Sequence, residues 1–369
     1  MDTNVKVSVI VPVYNAYDYL RQALDGILDQ QLKEIEVICV DDGSTDHSLD
    51  ILKEYQKRDE RIRIVTQNNA GPGIARNTGL KRARGEYLAF LDADDFYEPT
   101  MLDVMYSEAT KSDLDITVCD YDLFHSKNAN FTRAIPSESA ELLQPGEIVS
   151  KNLYPERIFQ ITDTYVWNKL FKKSFVTEKG LQFPTDVKIF EDAFFVGTAL
   201  SLANRIGKVE GLHAHHRVYS EQGRNKLFRK YYTRVPEIYV GLKSFLMHHG
   251  VYLPLKKSFE LHAASRCYKV YNILSADAKK QFWDSLHDTY AAQLGFSENT
   301  PGELGDGELS EFIANTVLFP YSQFAKREGR GIKLKIAGFA QRYKNWLNRK
   351  KFREFLSRVF HGKDESPKA

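Results

Sequence analysis

The N-terminal third of the chain alternates short apolar runs with segments of helical character. Between the first two runs, Asn15 is placed to cap a helix that reaches Gln30. Strands that alternate with helices predict βαβ units and a mostly parallel sheet. The runs are rich in β-branched residues, which pack well on a pleated surface, and they are Val7–Tyr14, Ile35–Val40, Arg61–Val65 and Tyr87–Leu91.

Acidic residues follow these predicted strands at the points where the strands end. Asp92, Asp94 and Asp95 come directly after the run that ends at Leu91, and Asp41 follows another run. Open α/β sheets place their ligands at the carboxyl ends of strands. Crowded carboxylates repel each other, and bound Mg²⁺ or Mn²⁺ relieves the repulsion while keeping positions open for phosphate oxygens. The pattern indicates diphosphate chemistry, with an acidic helix cap or a solvated turn as the alternative.

Four segments of this region together resemble the family 2 glycosyltransferases, in the family's order and at its spacing. They are Ser8–Asn15, Asp41–Asp46, Gly73–Gly79 and Phe90–Asp95. The resemblance is strong for residues 5–100, fair to residue 220 and absent beyond it. It implies a GT-A-type fold, in which a Rossmann-like mixed α/β sheet flanked by helices binds a nucleotide-diphospho-sugar. It also implies a metal ion held by a DXD motif and inversion at the anomeric carbon.

The resemblance assigns the donor contacts to the strand ends. Backbone groups at Pro12 and Val13 and the ring of Tyr14 would frame the base, because uracil needs edge partners and a flat apolar wall. Asp41 suits the uracil imide N–H, although Asp41–Asp46 also has the composition of a helix cap. Arg76 could reach a phosphate oxygen or form an ordinary ion pair. The predicted donor residues are Pro12, Val13, Tyr14, Asn15, Asp41, Arg76, Asp92 on the ribose side and Asp94 on the metal.

Glu191 and Asp192 open a predicted helical segment where the family has its Glu-Asp pair. An acceptor hydroxyl is a poor nucleophile at neutral pH and needs a general base. We assign this role to Asp192, with Glu191 as the second choice, since only one of the pair can face the acceptor. The helix dipole by itself also favours two acids at a helix N-terminus.

Further candidates for the acceptor or the diphosphate are Trp167, Lys169, His216 and Arg217. The segment that contains Trp167 and Lys169 also resembles the family, and Trp167 would either stack on a sugar or fill the core. His216 could bring an imidazole to the metal or the diphosphate, and Arg217 a charge to phosphate. We favour a structural role for the histidines, because many relatives have aromatic residues there.

The composition is that of a soluble enzyme from a reducing compartment. The 369 residues are 43% hydrophobic, which is enough for two or three domains with cores. Three dispersed cysteines form neither a disulfide framework nor a zinc pattern. Met1–Asn4 lead straight into a strand rather than a signal peptide, and no apolar run approaches the ~18 residues of a membrane span. We therefore expect a cytoplasmic protein.

The overall charge of +2 hides a basic C-terminal end. Residues 325–360 contain twelve Lys or Arg against two acids, a segment charge of +10. Apolar residues recur every three or four positions from Ile332 to Trp346, as in an amphipathic helix that binds anionic membrane. Docking on the catalytic domain or on a second protomer is the alternative. The predicted divisions are a nucleotide-sugar-binding half (1–100), an acceptor-binding half (101–222), a helical region (223–322) and the basic segment (323–369).

The sequence thus predicts an inverting glycosyltransferase that uses a nucleotide-diphospho-sugar and Mn²⁺ or Mg²⁺ to build a surface glycan or glycolipid. The acceptor would be a glycan or a lipid-linked glycan, at the inner face of a membrane. The alternatives are a nucleotidyltransferase and a non-catalytic nucleotide-sugar-binding or scaffold protein. A nucleotidyltransferase would normally carry a basic Gly-rich loop near the N-terminus, which Pro12–Asn15 is not. No nucleic-acid-binding motif accompanies the basic end, so no nucleic-acid partner is expected.

Overall fold

The computed structural model describes residues 5–134, 142–187, 189–218, 231–298 and 307–328. The chain divides into two compact units, the first ending at His262 and the second beginning at Ala263. The four divisions expected from the sequence stay a prediction. None of the helices in the described part of the chain combines the length and apolar character needed to cross a bilayer.

The first unit is built on one mixed sheet. Its strands lie in the order β3-β2-β1-β4-β9-β6-β10-β5, with β7 paired to β6 and β8 paired to β10. The strands are β1 Val7–Val13, β2 Ile35–Asp41, β3 Ile62–Thr66, β4 Tyr87–Phe90, β5 Phe96–Tyr97, β6 Ile116–His125, β7 Asn130–Arg133, β8 Ile148–Val149, β9 Lys169–Lys172 and β10 Ile206–Val218.

The direction of each strand decides which strand ends share one edge of the sheet. Strands β3, β2, β1 and β4 are parallel to one another. Strand β9 runs antiparallel to both β4 and β6, so β6 has the same direction as β4, and β10 is parallel to β6. The carboxyl ends of β1, β2, β4, β6 and β10 therefore face one edge, which we call the carboxyl edge.

Helices pack against the sheet of the first unit and make up most of the described second unit. Helix α1 buries its apolar stripe, which includes Leu20, Leu24 and Ile27, as the 3.6-residue period requires. The helices are α1 Leu20–Leu28, α2 Ser48–Arg58, α3 Pro72–Leu80, α4 Met101–Lys111, α5 Lys173–Glu178, α6 Glu191–Leu202, α7 Val235–His248, α8 Tyr252–Ile273, α9 Ala276–Ser285, α10 Ala291–Gln293, α11 Gly307–Leu318 and α12 Tyr321–Glu328. In the second unit, the rings of Trp283 and Phe324 stack at 4.0 Å within an aromatic cluster.

The sequence prediction that Asn15 caps the first helix is wrong. Helix α1 begins at Leu20, and Asn15 has a left-handed backbone with φ 50°. Its side-chain oxygen instead accepts the backbone N–H groups of Thr45 and Asp46, at 2.8 and 3.3 Å. An Asn side chain can satisfy any nearby backbone donor, and here the nearest donors belong to another loop. Asn15 therefore joins the loops that follow β1 and β2.

We expect Gly85→Ala to destabilise the first unit. A Cβ at this position would lie 2.4 Å from the backbone nitrogen of Ser8 and 2.8 Å from the carbonyl carbon of Val7. Backbone atoms of a central strand cannot move away cheaply, so we expect a loss of about 1–3 kcal/mol in the free energy of unfolding. In the control, Gly241→Ala in α7, the nearest atom is at 3.6 Å, and Ala should stabilise the helix by about 0.5–1 kcal/mol. Urea denaturation of both variants checks the contrast.

Candidate active site

The acidic loop Asp92–Asp95 lies at the carboxyl edge, directly beyond β4. Each of Asp92, Asp94 and Asp95 offers one oxygen, and these oxygens lie within 4.8 Å of one another. An all-oxygen donor set is the kind that Mg²⁺ and Mn²⁺ prefer. The residues present therefore fit the divalent cation that the sequence predicts.

Arg76 connects the acidic loop to the start of α6. One terminal nitrogen of its guanidinium donates to Asp92 and the other to Glu191, each at 2.7 Å. Arg76 is buried, and its Nε has no hydrogen-bond partner among the described residues. Burial alone would lower the pKa of Arg76, but the carboxylates of Asp92, Glu191 and Asp192 outweigh burial and raise this pKa above its ordinary value. Arg76 is therefore a permanent cation between two acids.

Asp192 differs from its neighbour Glu191 in its contacts. Helix α6 begins at Glu191, after Phe190 in a left-handed conformation with φ 59°. Glu191 is paired with Arg76, whereas the carboxylate of Asp192 accepts the backbone N–H of Ala193 at 2.8 Å. Burial and, to a smaller extent, the charge of Glu191 raise the pKa of Asp192 to about 7, although Arg76 opposes the rise. A carboxyl with such a pKa can accept a proton near neutral pH.

Asp95 points away from solvent and holds the acidic loop to β10. Its oxygens lie 3.0 and 3.1 Å from Nδ1 of His216, and one of them accepts the backbone N–H of Arg217 at 2.8 Å. Burial raises the pKa of Asp95 to about 6, although His216 lowers it in part. Asp95 therefore supports the acidic loop through these bonds to β10.

Tyr165, Trp167 and His216 form an aromatic stack behind the loop. The rings of Trp167 and His216 are 5.0 Å apart at 9°, and those of Trp167 and Tyr165 are 5.0 Å apart at 19°. Trp167 is only 2% exposed, so of its two predicted roles the structure matches packing in the core. His216 likewise has a structural partner on each side, the ring of Trp167 and the carboxylate of Asp95.

Lys169 is fully buried and supports the segment before β9. Its Nζ donates to the backbone carbonyl oxygens of Asp163 and Tyr165, each at 2.7 Å, and to Oδ1 of Asn168 at 2.8 Å. These bonds fix the segment that carries the aromatic stack. The sequence prediction of Lys169 as a ligand-contacting residue does not fit this burial, because an ammonium with three protein acceptors has no donor left for an acceptor substrate.

The other face of β10 carries His215 and Arg217. His215 lies between two carboxylates, with Nδ1 2.7 Å from Asp122 and Nε2 2.8 Å from Glu98. The guanidinium of Arg217 donates to the backbone carbonyl of Asp94 at 2.7 Å and is 5% exposed. His215 and Arg217 alternate with His216 along β10, as the two-residue period of a strand requires.

The predicted nucleotide-binding residues gather where β1 and β2 end. Pro12 and Val13 close β1, and Tyr14, the next residue, is 51% exposed. The carboxylate of Asp41 is buried and accepts the backbone N–H of Ser44 at 3.3 Å. These residues lie at the ends of two neighbouring strands, where the exposed ring of Tyr14 could contact a planar base.

Asp42 is a residue that sequence reasoning missed. Its carboxylate accepts from the side chain of Gln67 at 2.7 Å and from the backbone N–H groups of Ala70 and Gly71 at 2.9 and 2.8 Å. It thereby holds the loop that leads into α3 and Arg76. The signal available in the sequence was an acid at a strand end together with a Gly-containing loop rich in free N–H donors.

Comparison with known proteins assigns the chain to a family. The profile described as Glycosyl transferase family 2 matches residues 8–177. EpsH of Bacillus subtilis, whose name places it among the glycosyltransferases, is 31% identical over 247 residues, covering 66% of this chain and 70% of EpsH. The chain belongs to the family 2 glycosyltransferases. This assignment favours glycosyl transfer over the nucleotidyl transfer that strand-end acids also allow.

Other members of the glycosyltransferase family match over different lengths. The poly(ribitol-phosphate) beta-glucosyltransferase of Bacillus spizizenii is 35% identical over 207 residues, covering 55% of this chain and 30% of that protein. The first curated relatives are matched over 24% to 70% of their lengths. The structure of S. aureus TarS 1–349 in complex with UDP-GlcNAc matches with a TM-score of 0.67 and 20% identity, covering 88% of this chain and 92% of that one. That likeness shows the fold and confirms the predicted GT-A-type architecture.

We expect Arg76→Met to destabilise the first unit strongly. The substitution keeps an unbranched side chain but leaves the buried carboxylate of Glu191 without its cation, which typically costs about 3–5 kcal/mol. Adding Glu191→Gln should recover part of that loss, since no buried charge is then left unpaired. The exposed pair of Arg58 with Glu54 provides the control, and Arg58→Met should change the free energy of unfolding by about 0.5 kcal/mol or less. Equal losses of stability in Arg76→Met and Arg58→Met would show that the contact of Arg76 with Glu191 is not a buried ion pair.

Proposed function

We propose that this family 2 glycosyltransferase moves a sugar, with inversion, from a UDP-sugar to a hydroxyl of a glycan or lipid-linked glycan in cell-surface polysaccharide biosynthesis. The proposal rests on one observation above the others. At one edge of the sheet, Arg76 connects the acidic loop to the pair of Glu191 and Asp192. The three carboxylates of the loop suit a divalent cation, and the pKa of Asp192 is raised to about 7.

The choice of donor and acceptor follows the relatives. TarS is solved with UDP and with UDP-GlcNAc, and a relative in Bacillus spizizenii is named for glucosyl transfer to poly(ribitol-phosphate). Uracil would meet Tyr14 and the edge groups of Pro12 and Val13, with Asp41 near its imide N–H. Asn15 sets the loop beside them through its bonds to Thr45 and Asp46.

In the reaction, Asp192 takes the proton of the acceptor hydroxyl as that oxygen attacks the anomeric carbon. The new glycosidic bond forms as the bond to the diphosphate oxygen breaks on the opposite face, and the electron pair leaves with the nucleoside diphosphate. Asp94 would hold Mn²⁺ or Mg²⁺, which supplies positive charge to offset that of the departing diphosphate. Asp92, held by Arg76, would lie on the ribose side. Glu191 keeps Arg76 in place and is the second candidate for the base.

Membrane attachment rests on the sequence alone. The segment that supplies most of the +10 charge begins at residue 329 and lies outside the described residues. If that segment binds anionic lipid, the enzyme would work at the inner face of the membrane on a lipid-linked acceptor. Docking of the same segment on the catalytic domain or on a second protomer is the competing proposal.

We expect Asp94→Ala to abolish turnover and to remove the benefit that Mn²⁺ gives to UDP binding. The reason is that this carboxylate would be lost from the cation site while the fold is kept. Calorimetric titration of UDP with and without Mn²⁺ measures the effect, and Asp50→Ala on the exposed face of α2 is a matched control. If UDP binding by the Asp94 variant still gains as much from Mn²⁺ as wild type, the metal assignment is wrong.

We expect kcat to rise with pH through about 7 and to level off above it. Asp192 acts as a base only when deprotonated, and its pKa is raised to about 7, so activity is lost as pH falls through that value.

Asp192→Asn should lower kcat by roughly 10²–10⁴ and leave UDP affinity nearly unchanged. A loss of this size in Glu191→Gln, with little change in Asp192→Asn, would move the base to Glu191.

A further inference from the structure

Arg217 contacts three different parts of the first unit at once. Its Nε donates to the backbone carbonyl of Asp94 at 2.7 Å, within the acidic loop. Its terminal nitrogens donate to Oε1 of Gln22 on α1 at 2.6 Å and to Oγ of Ser126, just beyond β6, at 3.3 Å. Its backbone N–H donates to the carboxylate of Asp95 at 2.8 Å. Through this one residue, the loop is tied to a helix and to two neighbouring strands.

Aromatic rings enclose the guanidinium. Its central carbon lies 4.8 Å from the ring centroid of Tyr19, 5.0 Å from that of Phe124 and 5.5 Å from that of Phe96. Such contacts stabilise a desolvated cation and restrict its plane. The side chain donates to uncharged oxygens of Asp94, Ser126 and Gln22. Arg217 is therefore a rigid internal support, and its positive charge lies behind the acidic loop.

These bonds fix the groups on both sides of the Asp94 side chain. Arg217 donates to the backbone carbonyl oxygen of Asp94 and to the side-chain carboxylate of the next residue, Asp95. Rotation of the loop about Asp94 would break both bonds together. A metal site requires its oxygens within a few tenths of an ångström of their working positions, and such geometry depends on the residues behind the ligands.

We propose that Arg217 is a positioning residue that fixes the carboxylate of Asp94 for divalent cation binding, and not a ligand of the diphosphate. The inference rests on the proposed function, because it takes Asp94 as the residue that holds the cation. It differs from the phosphate contact expected from the sequence in a measurable way. A positioning residue alters the affinity for the cation, whereas a phosphate ligand alters the affinity for the nucleotide even without cation.

The test is a Mn²⁺ titration of the full-length protein with UDP, in which electron paramagnetic resonance measures free Mn²⁺. Arg217→Lys keeps the charge but loses the planar fork that reaches several acceptors at once. We expect it to weaken Mn²⁺ binding by about 10–100-fold, the usual range for residues that orient metal ligands. Its affinity for UDP without Mn²⁺ should stay at the wild-type value.

Gln22 provides a variant that should leave folding intact, because this residue is exposed on α1. Gln22→Ala removes one anchor of the guanidinium and should weaken Mn²⁺ binding in the same direction by a smaller factor. Gln22→Glu keeps an acceptor for Arg217 and should retain near wild-type Mn²⁺ affinity. Arg21→Ala, on the same helix but paired with exposed Glu54, should have no effect on the cation.

Three results would overturn the proposal. The first is a loss of UDP affinity without Mn²⁺ in Arg217→Lys, which would make Arg217 a phosphate ligand. The second is a fall in melting temperature with unchanged Mn²⁺ affinity of the folded Arg217 and Gln22 variants, which would make the network structural only. The third is unchanged Mn²⁺ binding in Asp94→Ala. That last result alone would reject the metal assignment itself, so failure of the proposed function is distinguishable from failure of the inference.

Discussion

Repulsion between carboxylates is the constraint around which this active-site edge is organised. The acidic loop and the start of α6 bring five acids to one edge of the sheet, and like charges at such distances disfavour the folded state unless they are compensated. Arg76 is shared between Asp92 and Glu191, while His216 and the backbone of Arg217 take Asp95. Asp94 and Asp192, to which we assign the cation and the acceptor proton, lie beside these paired acids in the sequence.

The antiparallel strand β9 makes this gathering possible. Because β9 lies between β4 and β6 and runs against both, the strands on either side of it keep one direction. The carboxyl ends of β6 and β10 thus face the same edge as those of β1, β2 and β4. Residues more than a hundred positions apart in sequence, such as Asp95 and His216, meet for this reason.

Several residues that look like ligands in the sequence are supports in the structure. Trp167 packs on His216, and buried Lys169 holds the segment that carries Trp167. Arg217 supports the loop itself. An active site needs a rigid second layer of polar and aromatic groups. Residues of that layer have the same chemical types as ligands, and they therefore produce the same signal in a sequence.

The sequence by itself determined the strands of the N-terminal third, the acidic loop at a strand end, the Glu-Asp pair at a helix start and the family. These features depend on local patterns, since burial of a strand and the charge of a loop are written in consecutive residues. Only the tertiary structure decided that Asn15 joins two loops, that Asp42 holds a third, and that Arg76 binds Glu191. Each of these depends on which donors and acceptors lie within about 3 Å in space, and pairs separated by up to 115 positions carry no local signature of their contact.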